Sequence, residues 1–230
     1  EIDLASIERK LVAGRRGGYC FEQNALLGAA LQALGFAVTP LMARVRWQIP
    51  AEIATGLTHM LLRVEAEGDS FIGDVGFGSM SLSRPLHLAL DEAQDVSLEP
   101  RRLINRIRPD GRGGEDRSLL VHQAKIGDDW GDVYQFTLEP SPPIDFALGN
   151  WFTSCHPQSR FVQNLVAARI EDDHRYTIFN REFTIRGRDG RAIKREIESP
   201  DELLAILADH FHLAFPAGTR FGSAGVAWPV

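Results

Sequence analysis

Cysteine is scarce in this sequence. There are two cysteines in 230 residues, and they do not have C-x-x-C spacing. A disulfide framework needs several cysteine pairs, and a structural zinc site needs closely spaced thiolates. Both are excluded as the basis of the fold, and we expect no metal. So few cysteines are typical of a protein of the reducing cytoplasm.

Long apolar runs and excess positive charge are also missing. No stretch has the roughly 20 apolar residues that a membrane-spanning helix needs, and we find no charged-then-apolar leader with a cleavage site. Lysine and arginine number 25 against 31 aspartate and glutamate, a net charge of -6. This balance disfavours nucleic acid as a partner. We expect a cytoplasmic protein with neither a membrane nor a nucleic-acid partner, and the pattern sets no oligomeric state.

What the chain does contain is an ordered change of periodicity. Residues 4–14 and 20–34 carry apolar side chains at helical spacing, and Gly35 ends the second segment. Alternating segments rich in Val, Ile, Leu and Phe follow, and they predict strands over 36–47, 57–66, 69–77, 119–125 and 132–139. A turn is predicted at 108–114.

The last third of the chain mixes helix and strand signals after a linker at Ser141–Pro143. The predicted elements there are a short helix over 145–152, a strand pair over 175–186 and 191–197 turned at Asp189–Gly190, and a helix from Ser199–Pro200 to about His212. The order predicts an α+β protein with a helical segment (1–35), an antiparallel β-barrel (36–142) and an α/β unit (143–230).

The cysteine at position 20 lies where a glycine turn meets a predicted helix. The free N–H groups and the dipole of a helix N-terminus favour a thiolate over a thiol, and the same N–H groups can hold an oxyanion. The alternative is a small buried cysteine without chemistry. Cys155 lies in a predicted irregular segment with no helix behind it, and we interpret it as structural. The chain also lacks the G-x-S-x-G and phosphate-loop motifs of other active sites.

A histidine and an aspartate are brought together by strand register. With a four-residue loop over 65–68, Val64 pairs with Asp69, and His59 lies opposite Asp74. Directly opposed side chains have Cβ atoms about 4.5–5.5 Å apart, within hydrogen-bonding reach. A slip of two residues keeps the pair on one face, whereas a slip of one separates it. The alternative is a solvent-facing histidine and an aspartate at a strand end.

Four segments of the sequence closely resemble the arylamine N-acetyltransferase family. They are Arg15–Asn24 (RRGGYCFEQN), Thr58–Met60 (THM), Gly73–Gly78 (GDVGFG), and Asn150–Ser154 (NWFTS) with Ser159–Phe161 (SRF). The first is long and highly specific, the others occur in the expected order, and the likeness spans essentially the whole chain. The resemblance implies that Cys20 is the acetyl-accepting cysteine, with His59 and Asp74 as its catalytic partners.

The resemblance also implies a fold and an activity. The fold is α+β and cysteine-proteinase-like: a helical segment that carries the nucleophile, an antiparallel β-barrel and an α/β lid, with 1–35 the remainder of a larger N-terminal bundle. The activity is transfer of an acetyl group from acetyl-CoA, as cosubstrate, to an arylamine, arylhydrazine or hydroxylamine. Phe77 would line the acceptor pocket, and Phe161 would lie near acceptor and CoA.

Two other functions use the same residues. A thiol hydrolase or a transglutaminase-like enzyme employs the same Cys-His-Asp triad, and triad geometry alone does not distinguish them. A non-catalytic CoA-binding or partner-binding relic would keep the shape of the site with an unreactive cysteine.

Overall fold

The computed structural model describes residues 1–109 and 114–222 of the chain. Its α-helices are α1 (Leu4–Ile7), α2 (Cys20–Ala33), α3 (Pro143–Cys155), α4 (Arg160–Gln163) and α5 (Pro200–Phe211). Its strands are β1 (Ala37–Val45), β2 (Leu57–Ala66), β3 (Asp69–Gly73), β4 (Leu86–His87), β5 (Arg101–Asn105), β6 (Arg108–Pro109), β7 (Glu115–Asp116), β8 (Leu120–Ile126), β9 (Asp129–Phe136), β10 (Val166–Ile170), β11 (His174–Phe179), β12 (Glu182–Gly187) and β13 (Ala192–Glu196).

The first predicted helix is in fact two kinds of helix. After α1, the chain continues as a π-helical segment, Glu8–Ala13, that ends at Gly14. The backbone N–H of Gly14 bonds to the carbonyl of Arg9, five residues back, at 2.9 Å. The predicted helical segment over 4–14, closed by Gly14, is therefore present, but apolar spacing alone does not separate this wider turn from an α-helix.

The second helix begins and ends where the sequence predicts. The Glu22 carboxylate accepts a hydrogen bond from the backbone N–H of Tyr19 at 3.2 Å, which satisfies a donor at the helix start. It also binds Lys10 Nζ at 2.7 Å. Gly35 has φ +92, the left-handed conformation that commonly ends a helix. Cys20 is therefore the first residue of a well-capped helix.

A seven-stranded antiparallel sheet, in the order β4-β3-β2-β1-β9-β8-β5, forms the predicted barrel. Isolated bridges from Leu90 to Leu103 and from Gln94 to Arg101 nearly close it. Its interior is filled by buried side chains from several strands, among them Leu41, Leu61, Ile72, Leu103, Val133 and Tyr134. Alternate residues of β1, such as Leu41 and Ala43, contribute to this core, whereas β2 and β8 contain runs of consecutive buried residues.

The register of the β2–β3 hairpin differs from the prediction by two residues. Ala66 pairs with Asp69 around a two-residue turn, whose residues Glu67 and Gly68 have φ 54 and 91. Two left-handed residues match the twist of a hairpin better than the expected four-residue loop. His59 and Asp74 are therefore diagonal neighbours rather than directly opposed, but they stay on one face of the sheet.

The C-terminal sheet has four strands in the order β10-β11-β12-β13 and packs on α5. The predicted strand over 175–186 is two strands, because the chain turns at Asn180, which has φ 53. The turn at Gly190 (φ 80) is as predicted. So is the start of α5, where Ser199 Oγ accepts a hydrogen bond from the Glu202 N–H at 3.1 Å.

The predicted linker and turn have different outcomes. Pro143 is the first residue of α3, which extends to Cys155 and so is longer than the predicted helix over 145–152. The centre of the predicted turn at 108–114 lies outside the described residues. Within 1–109 and 114–222, no helix is both long and apolar enough to cross a bilayer. The division into three domains at 35/36 and 142/143 stays a prediction.

Candidate active site

Three elements bring Cys20, His59 and Asp74 together: the start of α2, strand β2 and the segment that follows β3. His59 Nε2 lies 2.8 Å from Asp74 Oδ2, and both side chains are buried. Cys20 is also buried, with Sγ 3.9 Å from the carbonyl oxygen of Thr58, the residue before His59. The structure thus assembles the three residues that the sequence singled out.

The protonation states of His59 and Asp74 depend on one another. Burial by itself lowers the pKa of His59, but the Asp74 carboxylate and the Cys20 side chain outweigh it and raise that pKa to about 10. Burial raises the pKa of Asp74, but His59, Asn24 and Gly76 outweigh that effect and hold the pKa below its usual value. The favoured state at neutral pH is an imidazolium beside a carboxylate.

Asn24 belongs to the candidate site, although the sequence patterns did not single it out. Its Nδ2 donates to Asp74 Oδ1 at 3.0 Å and to the Met60 carbonyl at 2.7 Å. Its Oδ1 accepts from the Val75 N–H at 3.0 Å. The available signal was position: Asn24 is four residues after Cys20, so both lie on one face of α2. A single amide therefore ties the nucleophile helix to the aspartate and to β2.

The glycine at position 76 allows the aspartate segment to lie against the nucleophile. A Cβ atom there would be 2.5 Å from the Cys20 Cα and 3.1 Å from its Cβ. The Gly76 N–H also donates to Asp74 Oδ1 at 3.1 Å. Of the glycines beside Asp74 in the sequence, Gly76 is thus explained by the close contact between its backbone and that of Cys20.

Aromatic rings enclose the histidine. The ring centroids of Phe77 and Tyr134 each lie 5.1 Å from that of His59. Tyr134 is on β9, the strand on the other side of β1 from β2; Ala43 of β1 pairs with His59 on one side and with Phe136 of β9 on the other. Burial raises the pKa of Tyr134 well above its usual value, and the nearby Asp74 adds to this. The imidazole is held in a fixed plane with little access to water.

Phe161 and Cys155 lie elsewhere. Phe161 is in α4 with 55% of its surface exposed, and no ring contact in the described residues joins it to His59. Cys155 is the last residue of α3, not part of an irregular segment, and is exposed. Its Sγ lies 3.3 Å from the neighbouring Ser154 Oγ. The structure therefore groups Phe77 with the triad and leaves these two residues outside it.

Helix α3 covers the nucleophile with small and polar residues. A Cβ at Gly149 would be 2.8 Å from the Leu57 carbonyl oxygen and 2.9 Å from Phe21 Cζ. Thr153 Oγ1 donates to the Thr58 carbonyl at 3.5 Å, the same oxygen that faces Cys20 Sγ. The helix therefore packs closely on β2 and on the start of α2.

A cavity of about 560 Å³ opens beside this contact. Its lining is mainly apolar and comes from the end of β1, the start of β2 and α3: Val45, Ile49, Thr55, Gly56, Leu57, Thr58, Asp145, Leu148, Gly149 and Phe152. The size is within the range of small-molecule sites. Thr58 links this cavity to the candidate site, because it lines the cavity and its carbonyl oxygen lies 3.9 Å from Cys20 Sγ; Cys20 and His59 are not among the lining residues.

Known proteins match this chain over most of its length. The sequence profile of the N-acetyltransferase family matches residues 1–219. The arylamine N-acetyltransferase of Mycolicibacterium smegmatis is 35% identical over 219 residues, covering 92% of this chain and 74% of the relative. The solved structure of the Mycobacterium marinum arylamine N-acetyltransferase is 36% identical with a TM-score of 0.84, covering 93% of this chain and 75% of that one. Its complex with CoA matches with the same identity and TM-score.

These matches identify the fold and the family. The likeness to solved enzymes confirms the predicted α+β, cysteine-proteinase-like fold, in which Cys20 lies at a helix start beside an antiparallel barrel. The profile extends over nearly the whole chain, and the identity exceeds 30% over most of both sequences. The protein is therefore an acyltransferase that belongs to the arylamine N-acetyltransferase family.

Proposed function

We propose that this protein transfers an acetyl group from acetyl-CoA to an arylamine, arylhydrazine or hydroxylamine through an acetyl-Cys20 thioester. The observation that carries the proposal is the buried arrangement of Cys20, His59 and Asp74, with 2.8 Å between His59 Nε2 and Asp74 Oδ2. The CoA complex of the M. marinum enzyme supports acetyl-CoA as the donor. A cytoplasmic location is part of the same proposal.

In the first half-reaction Cys20 is the nucleophile. Asp74 favours the imidazolium form of His59, and this cation holds Cys20 as a thiolate. The thiolate attacks the thioester carbonyl carbon, a new carbon–sulfur bond forms, and the bond to the CoA sulfur breaks. His59 gives its proton to the departing CoA thiolate. The first backbone N–H groups of α2, which have no partner within the helix, are suited to the oxyanion.

In the second half-reaction the acceptor amine attacks the acetyl-Cys20 carbonyl. His59, now neutral, takes the proton that the amine loses, and the carbon–sulfur bond to Cys20 breaks. Thiolate and imidazolium are both restored, so the two steps balance. One site that serves donor and acceptor in turn implies ping-pong kinetics.

The acceptor is proposed to bind near the aromatic rings and the cavity beside Cys20. Phe77, packed edge-on to His59, offers an apolar surface next to the reacting atoms. Phe161 is proposed near the acceptor and CoA because its exposed ring is free to contact a ligand. An apolar cavity suits a planar aromatic amine better than a charged peptide.

The test is intact mass after brief incubation with acetyl-CoA alone, followed by an arylamine such as an aminobenzoate. We expect a gain of one acetyl group, mapped to Cys20 and discharged by the amine. Failure of acetyl-CoA to acylate Cys20, together with cleavage of peptide or amide substrates, would favour the thiol hydrolase or transglutaminase-like alternative. Ligand binding with a Cys20 that thiol reagents do not modify at neutral pH would indicate the relic.

Two serine variants make the test specific. Cys20→Ser should abolish the acetyl gain, because an alcohol is a far weaker nucleophile at neutral pH. Cys155→Ser is the matched control, since that cysteine is exposed and outside the triad. Near-normal turnover by Cys20→Ser would rule the mechanism out.

A further inference from the structure

One hydrogen bond joins the turn before the nucleophile to the helix that walls the cavity. The hydroxyl of Tyr19, the residue immediately before Cys20, donates to Oδ1 of Asn150 in the middle of α3. Tyr19 is half-buried. Burial and the nearby Glu22 raise its pKa to about 12, despite a hydrogen bond with Ser154 that lowers it. The hydroxyl therefore keeps its proton and remains a donor at neutral pH.

Helix α3 has two adjacent faces, of which one packs against the rest of the protein and the other lines the cavity. One face packs against the protein: Phe146 contacts the apolar cluster around Cys20, Gly149 lies against β2, and Thr153 bonds to the Thr58 carbonyl. The neighbouring face lines the cavity with Leu148 and Phe152, which stay 58% and 38% exposed. Helix positions three or four apart share a face, so anchoring one face fixes where the other points.

The anchored face holds α3 with few apolar contacts. Gly149 and Thr153 are its only buried residues within the described part of the chain, and neither buries much apolar area. Because these apolar contacts are few, a hydrogen bond at the centre of this face contributes more to fixing the position of α3 than it would in a helix anchored by buried leucines. A shift of the helix by one side-chain contact would displace the part of the cavity wall formed by Leu148 and Phe152.

We infer that Tyr19 is a positioning residue that acts through Asn150: it sets the distance between the cavity wall on α3 and Cys20, and so determines how tightly a single-ring aromatic acceptor is held. The inference rests on the proposed function, because it assigns the cavity to the acceptor. Neither Tyr19 nor Asn150 takes part in the chemistry. Their bond should affect the acceptor step and leave acylation of Cys20 by acetyl-CoA unchanged.

The experiment separates the two half-reactions in Tyr19→Phe and Asn150→Leu. The rate of Cys20 acetylation by acetyl-CoA is measured by rapid quench and intact mass, and the KM for a single-ring acceptor such as 4-anisidine by steady-state kinetics. We expect an unchanged acetylation rate and a KM about fivefold higher, which corresponds to the ~1 kcal/mol of one net hydrogen bond.

Three further variants make the result diagnostic. Asn150→Asp keeps an acceptor oxygen for the Tyr19 hydroxyl and should restore the KM. The double variant should be no worse than Tyr19→Phe alone, since that variant already removes the bond to Asn150. Tyr176→Phe removes a hydroxyl from β11 in the C-terminal sheet and should change neither step.

Each other outcome overturns the inference or its basis. A KM within twofold of wild type in Tyr19→Phe, or additive effects in the double variant, would show that the bond does not position the wall. If acetylation of Cys20 and transfer to the acceptor were slowed equally, Tyr19 would act on Cys20 and not on the position of α3. No acetylation of Cys20 in the wild-type protein would contradict the proposed function itself, a result distinguishable from the other two.

Discussion

The candidate active site with its neighbouring cavity, called the cleft below, and the C-terminal sheet are stabilised in different ways. The C-terminal sheet and α5 share an apolar core: Ile178, Phe183, Ile197, Leu203, Ile206, Leu207 and Phe211. The cleft buries polar side chains from α2, β2, α3 and the segment after β3: Glu22, Asn24, His59, Asp74 and Thr153. One region depends on apolar area removed from water, and the other on polar groups that satisfy one another.

The two helices at the centre of these regions show the contrast most clearly. Helix α5 buries four apolar residues, as expected of an amphipathic helix. Helix α3 buries Gly149 and Thr153 and leaves Ile144, Leu148 and Trp151 more than half exposed. A helix that keeps its apolar side chains out of the core has them available for a ligand. The difference is the one expected between a helix that stabilises the fold and a helix that contacts a ligand, as proposed for α3.

Asp74→Asn should have the largest effect, because it removes the charge that compensates a buried imidazolium. Breaking a buried ion pair from one side typically costs about 3–5 kcal/mol of unfolding free energy. Urea unfolding measures it. The matched control is Asp173→Asn, which loses a 2.8 Å contact with His174 at the surface. Solvent screens that pair, so the control should be nearly neutral. Equal losses in the two variants would contradict the contrast between the regions.

The same pair gives the cleft a pH dependence. The pKa of His59 is raised to about 10 in the folded protein, above its ordinary value of about 6.5. Its contribution to stability is therefore fully present below pH 6.5 and is lost as pH rises through about 10. Urea unfolding at pH 6, 8 and 10 should show this loss in the wild type. Persistence of the same loss in Asp74→Asn would assign it to another group.

Leu203→Ala should be the next largest change, because Leu203 is fully buried under the C-terminal sheet. Removal of a core leucine typically costs about 2–5 kcal/mol, measured by urea unfolding. Under conditions where the variant stays folded, acetylation of Cys20 should proceed at the wild-type rate. A slowed acetylation at full folding would mean that the two regions are coupled.

Gly149→Ala should cost less, about 1–3 kcal/mol, since the added methyl group is forced against Leu57 and Phe21. The control is Gly28→Ala in α2, where a Cβ meets Leu62 at an ordinary 3.5 Å. Alanine there should stabilise the protein by about 0.5–1 kcal/mol through helix propensity. Thermal unfolding of both variants compares them. A gain at both positions would show that α3 is not closely docked.

Leu148→Ala should be the smallest change in stability, within about 0.5 kcal/mol, because the side chain is 58% exposed. Its expected effect is on the acceptor: a higher KM for a single-ring amine, with acetylation of Cys20 unaffected. Calorimetry and steady-state kinetics measure the two quantities. A loss of stability comparable to that of Leu203→Ala would show that α3 is an ordinary core helix.

The sequence predicts the C-terminal helix better than the cleft helix for a physical reason. Ser199 and Pro200 mark the start of α5, and apolar spacing marks its buried face, so local patterns suffice. For α3 the pattern predicts a shorter helix over 145–152, because burial of Gly149 and Thr153 depends on a surface supplied by β2. Local periodicity carries no information about such a partner.

In the candidate site, too, local patterns predict some features, and those that depend on tertiary contacts are missed. Cys20, His59 and Asp74 were identified from a helix start, a strand alternation and a family resemblance, although the hairpin register was wrong by two residues. The pair stayed together because a shift of two preserves the face of the strand. The role of Asn24 was missed because it depends on contact between α2 and the segment after β3, which is a tertiary feature.

Because Gly76 contacts the backbone of Cys20, the reactivity of Cys20 during refolding should show when the segment after β3 docks on α2. The two residues are far apart in the chain, and the close approach exists only after the β2–β3 hairpin has docked on α2. Before docking, Cys20 is not packed against this segment and is open to a reagent, whereas in the folded protein its side chain is buried. The reaction of Cys20 with a brief pulse of alkylating reagent, followed during refolding of a Cys155→Ser chain, would therefore time the assembly of the active site against the formation of the rest of the fold.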